Sequence, residues 1–200
     1  MREIDRFYAD NMFHGYIQGL ELTEGTVIID LGTYKGYTAK LLSTIYYNTK
    51  VYTFEPMIPF YNEAVTECKS HPNITVLPYG LGNGNFDFNM NINADSTSMV
   101  QNTNSDNSQK CTMRDFFDFL RENNITNIDL LHINIEGAEY ELLDYLFAKD
   151  FHLKIKHLII QFHYPNPIND AKLEHYYNIL DKTHKQIYDY RYVWTRWSRK

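Results

Sequence analysis

Along the chain, short blocks of apolar, often β-branched residues alternate with segments whose apolar residues recur every three or four positions. The first kind predicts buried strands and the second predicts helices packed on them. Ile4, Phe7, Tyr8, Met12, Phe13, Tyr16 and Ile17 recur at helical spacing, so a helix is expected from Met1 to about Leu20, ended by Glu24-Gly25. Residues 26–32, TVIIDLG, read as a strand, 36–47 as a helix, and 50–54, KVYTF, as a second strand stopped by Glu55-Pro56. A helix over about 58–69 and a strand at 74–78 follow. This βαβαβ alternation predicts an α/β fold with a doubly wound, mostly parallel sheet and helices on both faces.

The pattern changes over 80–110, which is rich in Asn, Ser and Gly. Phe86, Phe88 and Met90 alternate with polar residues and suggest a short edge strand; the rest reads as a long loop. Loops of that length in a compact domain are usually functional lids or disordered; 83–110 is expected to cover a substrate, with plain solvation of the loop as the alternative. Helical spacing resumes at about 112–123, a strand at 128–135 (IDLLHINI), a helix near Gly137, and a strand at 157–163. A helix at about 170–184 and one or two strands within 186–198 close the pattern. With no repeat or linker in 200 residues, one domain is expected, with 1–22 as its helical extension.

Composition narrows the function. The formal net charge is -6, which argues against nucleic acid as a partner. The C-terminal Arg191, Arg196, Arg199 and Lys200 read as a solvated end, or as a local patch for an anionic ligand. Cys68 and Cys111 have no CxxC or His-rich spacing, so neither a disulfide framework nor a zinc site is expected. The charged start, MREIDRFYADNMF, is unlike a signal peptide, and no apolar run approaches the roughly 20 residues that span a bilayer. A cytoplasmic protein without membrane insertion is expected.

Chemistry is expected at the carboxyl ends of the strands, near the point where strand order reverses. Polar residues gather there. The first strand ends in Asp30-Leu-Gly32-Thr33-Tyr34-Lys35-Gly36, the second in Glu55-Pro56, and the third in Tyr79-Gly80-Leu81. The fourth ends in Asn134-Ile-Glu136-Gly-Ala-Glu139 and the fifth in Gln161-Phe-His163-Tyr164. Gly32 and Gly36 allow a sharp turn and close approach of a ligand to the backbone. Their spacing is GxxxG, not the GxGxxG of a dinucleotide site, and Tyr34 would crowd a pyrophosphate. Glu55 stands where a carboxylate accepts both ribose hydroxyls, and Asp30 is suited to a cationic amino group. The alternatives are a plain strand-to-helix turn, a helix-start charge at Glu55, and a carboxylate at Asp30 satisfied by loop amides.

DLGTYKGYT, FEP, LPYGLGN, IDLLHINIEGAE and a strand ending in His together resemble the FkbM-type S-adenosylmethionine-dependent methyltransferases. The resemblance runs from about residue 26 to 165; FEP combined with IEGAE carries most of its specificity. It implies the class I methyltransferase Rossmann-like fold, S-adenosylmethionine as cofactor, and O-methylation of a sugar or glycan hydroxyl. By position it implies that Asp30, Gly32 and Gly36 frame the methionine part of the cofactor, that Glu55 holds the ribose, and that Gly80 and Leu81 lie near the adenine. Thr33, Tyr34, Lys35 and Pro56 belong to the same loops. Glu136 and Glu139 fall in the acidic motif beside the reacting centre, and the Ser/Thr run at 96–98 loosely matches a serine-bearing loop. The family's lysine and aspartate before EGAE are here His132 and Asn134, and Asn134 cannot take a proton.

His163 and Glu136 are therefore the candidate bases, with Asn134 beside them and His163 tuned by residue type to neutral pH. Both also have ordinary structural readings, a core histidine and a helix-start carboxylate. The rival readings are a non-catalytic cofactor-binding module, which Asn134 keeps open, and a nicotinamide-dependent oxidoreductase or epimerase. Apart from the acceptor, a small molecule or glycan, a homo-oligomeric partner is open.

Overall fold

A computed structural model describes residues 1–91 and 108–200. The predicted body of the substrate-covering loop and the Ser/Thr run at 96–98 lie outside the described residues.

The main sheet has seven strands. They are β1 (Val27–Leu31), β2 (Lys50–Phe54), β3 (Ile74–Leu77), β7 (Ile128–Ile133), β8 (Ile155–Ile160), β9 (His184–Tyr190) and β10 (Trp194–Arg199). Their order is β3-β2-β1-β7-β8-β10-β9. All neighbouring pairs are parallel except the two made by β10, which runs antiparallel between β8 and β9. The order reverses between β1 and β7, which opens a crevice at the carboxyl ends of those strands.

Both faces are covered, which explains the unbroken apolar runs. On one face Ile29, Leu31, Phe54, Leu131, Ile133 and Leu158 pack against Phe119 of α5 (Phe116–Glu122), Leu142 and Leu146 of α6 (Glu139–Ala148), and Leu173 of α7 (Pro167–Leu180). On the other, Ile28, Val51, Leu130 and Ile159 pack against Ala39 and Leu42 of α3 (Tyr37–Ile45) and against Ile17 and Leu20. Helix α4 (Ile58–Cys68) buries Phe60, Ala64 and Cys68, four residues apart on one stripe.

A second sheet lies across 80–115. Strands β4 (Gly80–Gly82), β5 (Phe86–Asn91) and β6 (Ser108–Asp115) pair in the order β4-β6-β5. Here the sequence reading is corrected twice. The edge strand expected over 86–90 is β5, but it is joined by β4 and β6, which the sequence reading lacks, and the helix expected from 112 begins at Phe116. Cys111 and Met113 are buried while Lys110 and Thr112 are exposed, a period of two that belongs to a strand. Asp115 then caps α5, accepting from the Phe117 and Asp118 amides. The N-terminal helix is also corrected to two short pieces, α1 (Glu3–Ala9) and α2 (Met12–Gly15), split where Asn11 takes a left-handed φ of 56°. The helix expected at 170–184 starts earlier, because Asn166 caps it with Pro167 in its first turn. The closing segment is two strands. No described helix is long and apolar enough to cross a membrane.

The ends of β1 and β7 meet closely at Gly32. Its φ is 81°, and a Cβ there would lie 1.9 Å from the Asn134 carbonyl oxygen. Only glycine satisfies both constraints. Gly32→Ala is expected to destabilise the protein by at least about 2 kcal/mol, a fall in Tm of roughly 4–8 °C in calorimetry. Gly84→Ala serves as the control: its new Cβ would meet nothing closer than 3.9 Å, and its Tm should stay near that of the parent.

Candidate functional site

The crevice contains a cavity of ≈ 250 Å³. Its floor comes from the ends of β1, β2 and β7 through Gly32, Tyr34, Glu55, Pro56, Asn134 and Glu136. Gly80 and Leu81 form one side. The second sheet adds an apolar wall of Phe88, Met90 and Met113. Eight of the sequence-predicted site residues, Tyr34 among them, thus converge on one cavity.

Glu55 is buried at its base. One carboxylate oxygen accepts from the Met57 amide at 2.9 Å and the other from the Tyr34 amide at 3.0 Å. Burial pushes its carboxyl up to about 7, against the downward pull of these two amides. Each oxygen keeps a second lone pair for a ligand donor. Gln109 of β6 ties this loop to the second sheet, donating to the Pro56 carbonyl at 3.3 Å and accepting from the Ile58 amide at 3.2 Å.

Asp30 does not line the cavity. It is fully buried beneath it, on the face opposite the Ile29–Leu31 core. One oxygen accepts from Thr53 Oγ1 at 2.7 Å, and the other meets His132 Nδ1 at 2.8 Å. Strand register puts Thr53, Asp30 and His132 side by side on β2, β1 and β7. The alternating pleat sends the Asp30 side chain to the face opposite Leu31, so proximity in sequence to Gly32 does not carry it into the crevice. Nor do Thr33, Lys35 and Gly36 line the cavity. Thr33 is buried, with its amide on the Phe54 carbonyl. Lys35 reaches away to Glu63 at 3.2 Å. Gly36 packs on Ala64, where a Cβ would come within 2.9 Å of the Cα.

At the other end, His163 is fixed at three points by α6. Its amide donates to Glu139 Oε1 at 2.7 Å, its Nδ1 lies 3.2 Å from the same oxygen, and the Tyr140 hydroxyl donates to its carbonyl at 2.7 Å. Its Nε2 is 3.5 Å from Glu136 Oε1, which joins it to the cavity wall. Burial pulls the imidazole pKa down, but the Glu139 bond and the charges of Glu139 and Glu136 outweigh it, so the pKa is raised. Glu139 itself is fully buried, and its second oxygen accepts from the Gly137 amide at 2.8 Å. It is an orienting group rather than a surface of the cavity. Asn134 Oδ1 is buried without a hydrogen-bond partner.

Backbone strain is present at this edge, as it is at Asn11, Asn124, Asp150 and Tyr192 elsewhere. Tyr34, Glu136 and Tyr164 follow β1, β7 and β8, and all three hold left-handed φ values of 54°, 52° and 56°. Such non-glycine residues persist only where surroundings over-determine them, often at ligand sites. What sequence reading missed is the apolar wall. Phe88 and Met90 were visible as an alternating pair, but Met113 was hidden by assigning its segment to a helix.

These features fit an adenosine-containing ligand without a diphosphate. Glu55 retains acceptor capacity for a ribose diol, Leu81, Phe88 and Met113 offer an apolar face for a base, and Asn134 Oδ1 waits for a donor. Tyr34 lines the cavity at the turn after β1.

Comparison with known proteins agrees. The model of the methyltransferase FkbM domain matches residues 30–192. No curated protein matches the chain. Among solved structures, it is similar to a putative rRNA-methylase from Clostridium thermocellum, at 10% identity and a TM-score of 0.56, with 94% of each chain covered. An rRNA methylase from Streptococcus thermophilus gives 11% identity, a TM-score of 0.56 and 94% of each chain. A fibrillarin/Nop5p complex gives 14% identity and a TM-score of 0.55 over 96% of this chain and 80% of that one. At these identities the structures speak for the fold alone, which is that of the class I methyltransferases. The chain belongs to the FkbM methyltransferase family, and its cofactor is S-adenosylmethionine.

Proposed function

We propose that the protein methylates a hydroxyl oxygen of an uncharged, polyhydroxylated acceptor, a sugar or glycan, with His163 as the base. The observation that carries this reading is the imidazole held between Glu139 and Glu136 at the cavity edge. When bound, S-adenosylmethionine supplies a methyl group on a sulfonium, open to in-line displacement. Everything else falls to the chain. Glu55 takes the ribose hydroxyls, and Leu81, Phe88 and Met113 exclude water around the base. Asn134 Oδ1 accepts a hydrogen bond from the acceptor or the cofactor's amino group. Glu139 holds Nδ1–H, so Nε2 presents its lone pair and receives the hydroxyl proton as the oxygen–carbon bond forms. Asn134 cannot serve as that base. The net charge of -6 disfavours a polyanionic acceptor such as RNA, and the similarity to rRNA methylases is one of fold only.

The pH dependence has two parts. Ribose hydroxyls bind the ionised form of Glu55, whose carboxyl is near 7 when free. Affinity for S-adenosylhomocysteine should therefore rise with pH up to about 8 and then level off, with proton release on binding. Glu55→Gln should weaken binding at least about tenfold and flatten that profile in calorimetric titration. An unchanged affinity would sink the ribose role.

His163 works only when neutral, and its pKa is raised. Turnover at saturating cofactor should increase with pH through a midpoint above the usual value of about 6.5. His163→Gln should lower kcat about 10²–10⁴-fold while leaving the S-adenosylhomocysteine Kd unchanged. Release of methyl from radiolabelled cofactor onto a panel of methyl glycosides is the assay. No transfer by the wild type, together with intact cofactor binding, would favour a non-catalytic cofactor-binding module; gain of transfer in Asn134→Asp would mark that module as a decayed enzyme.

A further inference from the structure

Four consecutive carbonyls after α2 are captured by side chains from the body of the fold. The Tyr188 hydroxyl donates to the Tyr16 carbonyl at 2.7 Å, and the Tyr46 hydroxyl to the Ile17 carbonyl at 2.9 Å. Arg196 donates from its two terminal nitrogens to the carbonyls of Gln18 at 2.7 Å and Gly19 at 2.9 Å. Arg196 is buried, and its guanidinium meets these carbonyls instead of a carboxylate. Residues 16–20 thus form a strap tied down across one face of the sheet.

The strap has a specific cargo. The Tyr16 ring lies 6.0 Å from the His132 ring and 4.8 Å from that of Trp194, and Trp194 lies 4.9 Å from His132. His132 packs beside both rings, with Nδ1 on Asp30 and Nε2 buried without a partner. Burying Asp30, Thr53 and His132 is costly compared with an apolar trio of the same volume, and the orphaned Nε2 adds to the cost. The position of the trio suggests what it is kept for. Thr53, Asp30 and His132 each stand two residues before a cavity residue: Glu55, Gly32 and Asn134. Backbone pairing alone leaves the twist between neighbouring strands free over a wide range. Side-chain bonds linking all three strands just before they separate fix how their ends fan out.

We propose that His132 is a positioning residue for the cofactor site, acting through Asp30 and Thr53 on the spacing of Gly32, Glu55 and Asn134, and that the strap holds its ring in place. The proposal rests on the cofactor, not on the choice of acceptor. It is tested by titrating S-adenosylhomocysteine calorimetrically, well below the Tm of each variant. His132→Leu removes the donor; His132→Asn keeps an N–H near the place of Nδ1, and both lose the ring that packs beside Tyr16 and Trp194. Both should melt below the wild type, but only the leucine variant should bind about tenfold more weakly, with the asparagine variant within about threefold of wild type. A purely structural role would leave both folded variants at the wild-type Kd, and equal weakening in both would overturn the route through Asp30. Should the leucine variant fail to fold, Thr53→Val breaks the rung from its other side with little change of volume. It should weaken binding about threefold or more, and wild-type affinity there would overturn the proposal.

Discussion

A single transverse line of hydrogen bonds, Thr53 to Asp30 to His132, underlies the site. It joins the three strands whose ends form the cavity floor, in the layer where both faces are otherwise apolar. Below it the strands are held by ordinary core packing of isoleucine, leucine and valine. Above it they part, and the backbone enters left-handed turns at Tyr34 and Glu136. The buried carboxylate at the end of β1 is thus part of the frame, and the carboxylate at the end of β2 is part of the site. The two acids take different roles because Asp30 lies inside β1, enclosed by its neighbours, while Glu55 lies just past the end of β2, at the open edge.

The reacting edge shows the same division of labour. Glu136 and Glu139 are three residues apart around a glycine turn. Glu136 faces the cavity, while Glu139 turns inward and spends both oxygens on amides and the His163 ring. Gly137 makes room for this, since a Cβ there would lie 2.7 Å from the Tyr164 ring. The half-exposed acid is therefore the one that faces the cavity, and the fully buried acid is the one that holds His163.

Much of this was legible in the sequence. Strand bodies announce themselves when both faces are buried, because apolar residues then follow one another without alternating with polar ones, as at Val27-Ile28-Ile29 and Leu158-Ile159-Ile160. The gathering of polar residues at strand ends located the cavity, and Gly32, Glu55, Gly80, Leu81, Asn134 and Glu136 all reach it. Three things were not legible. The direction of Asp30 depends on which pleat face it takes, and Ile29 and Leu31 leave either choice open. Strand β6 ends directly in α5, so Met113 and Phe116 share one apolar stretch whose period changes partway. Finally, the short split at Asn11 divides a pattern that is helical on both sides, and nothing in the spacing marks the break.

The antiparallel β10 lies between β8 and β9, inside the sheet rather than at its edge. Although β9 precedes it in the chain, it has no place in the sheet until β10 has arrived to pair with it. Strand β10 therefore acts as a keystone: β9 joins the sheet only through it. It also carries Trp194 and Arg196, the residues that receive the strap from the opposite end of the chain. A ribosome-bound chain extended only as far as β9 would carry the parallel core with an unsealed face, and β10 would bring the side chains that hold the strap against it.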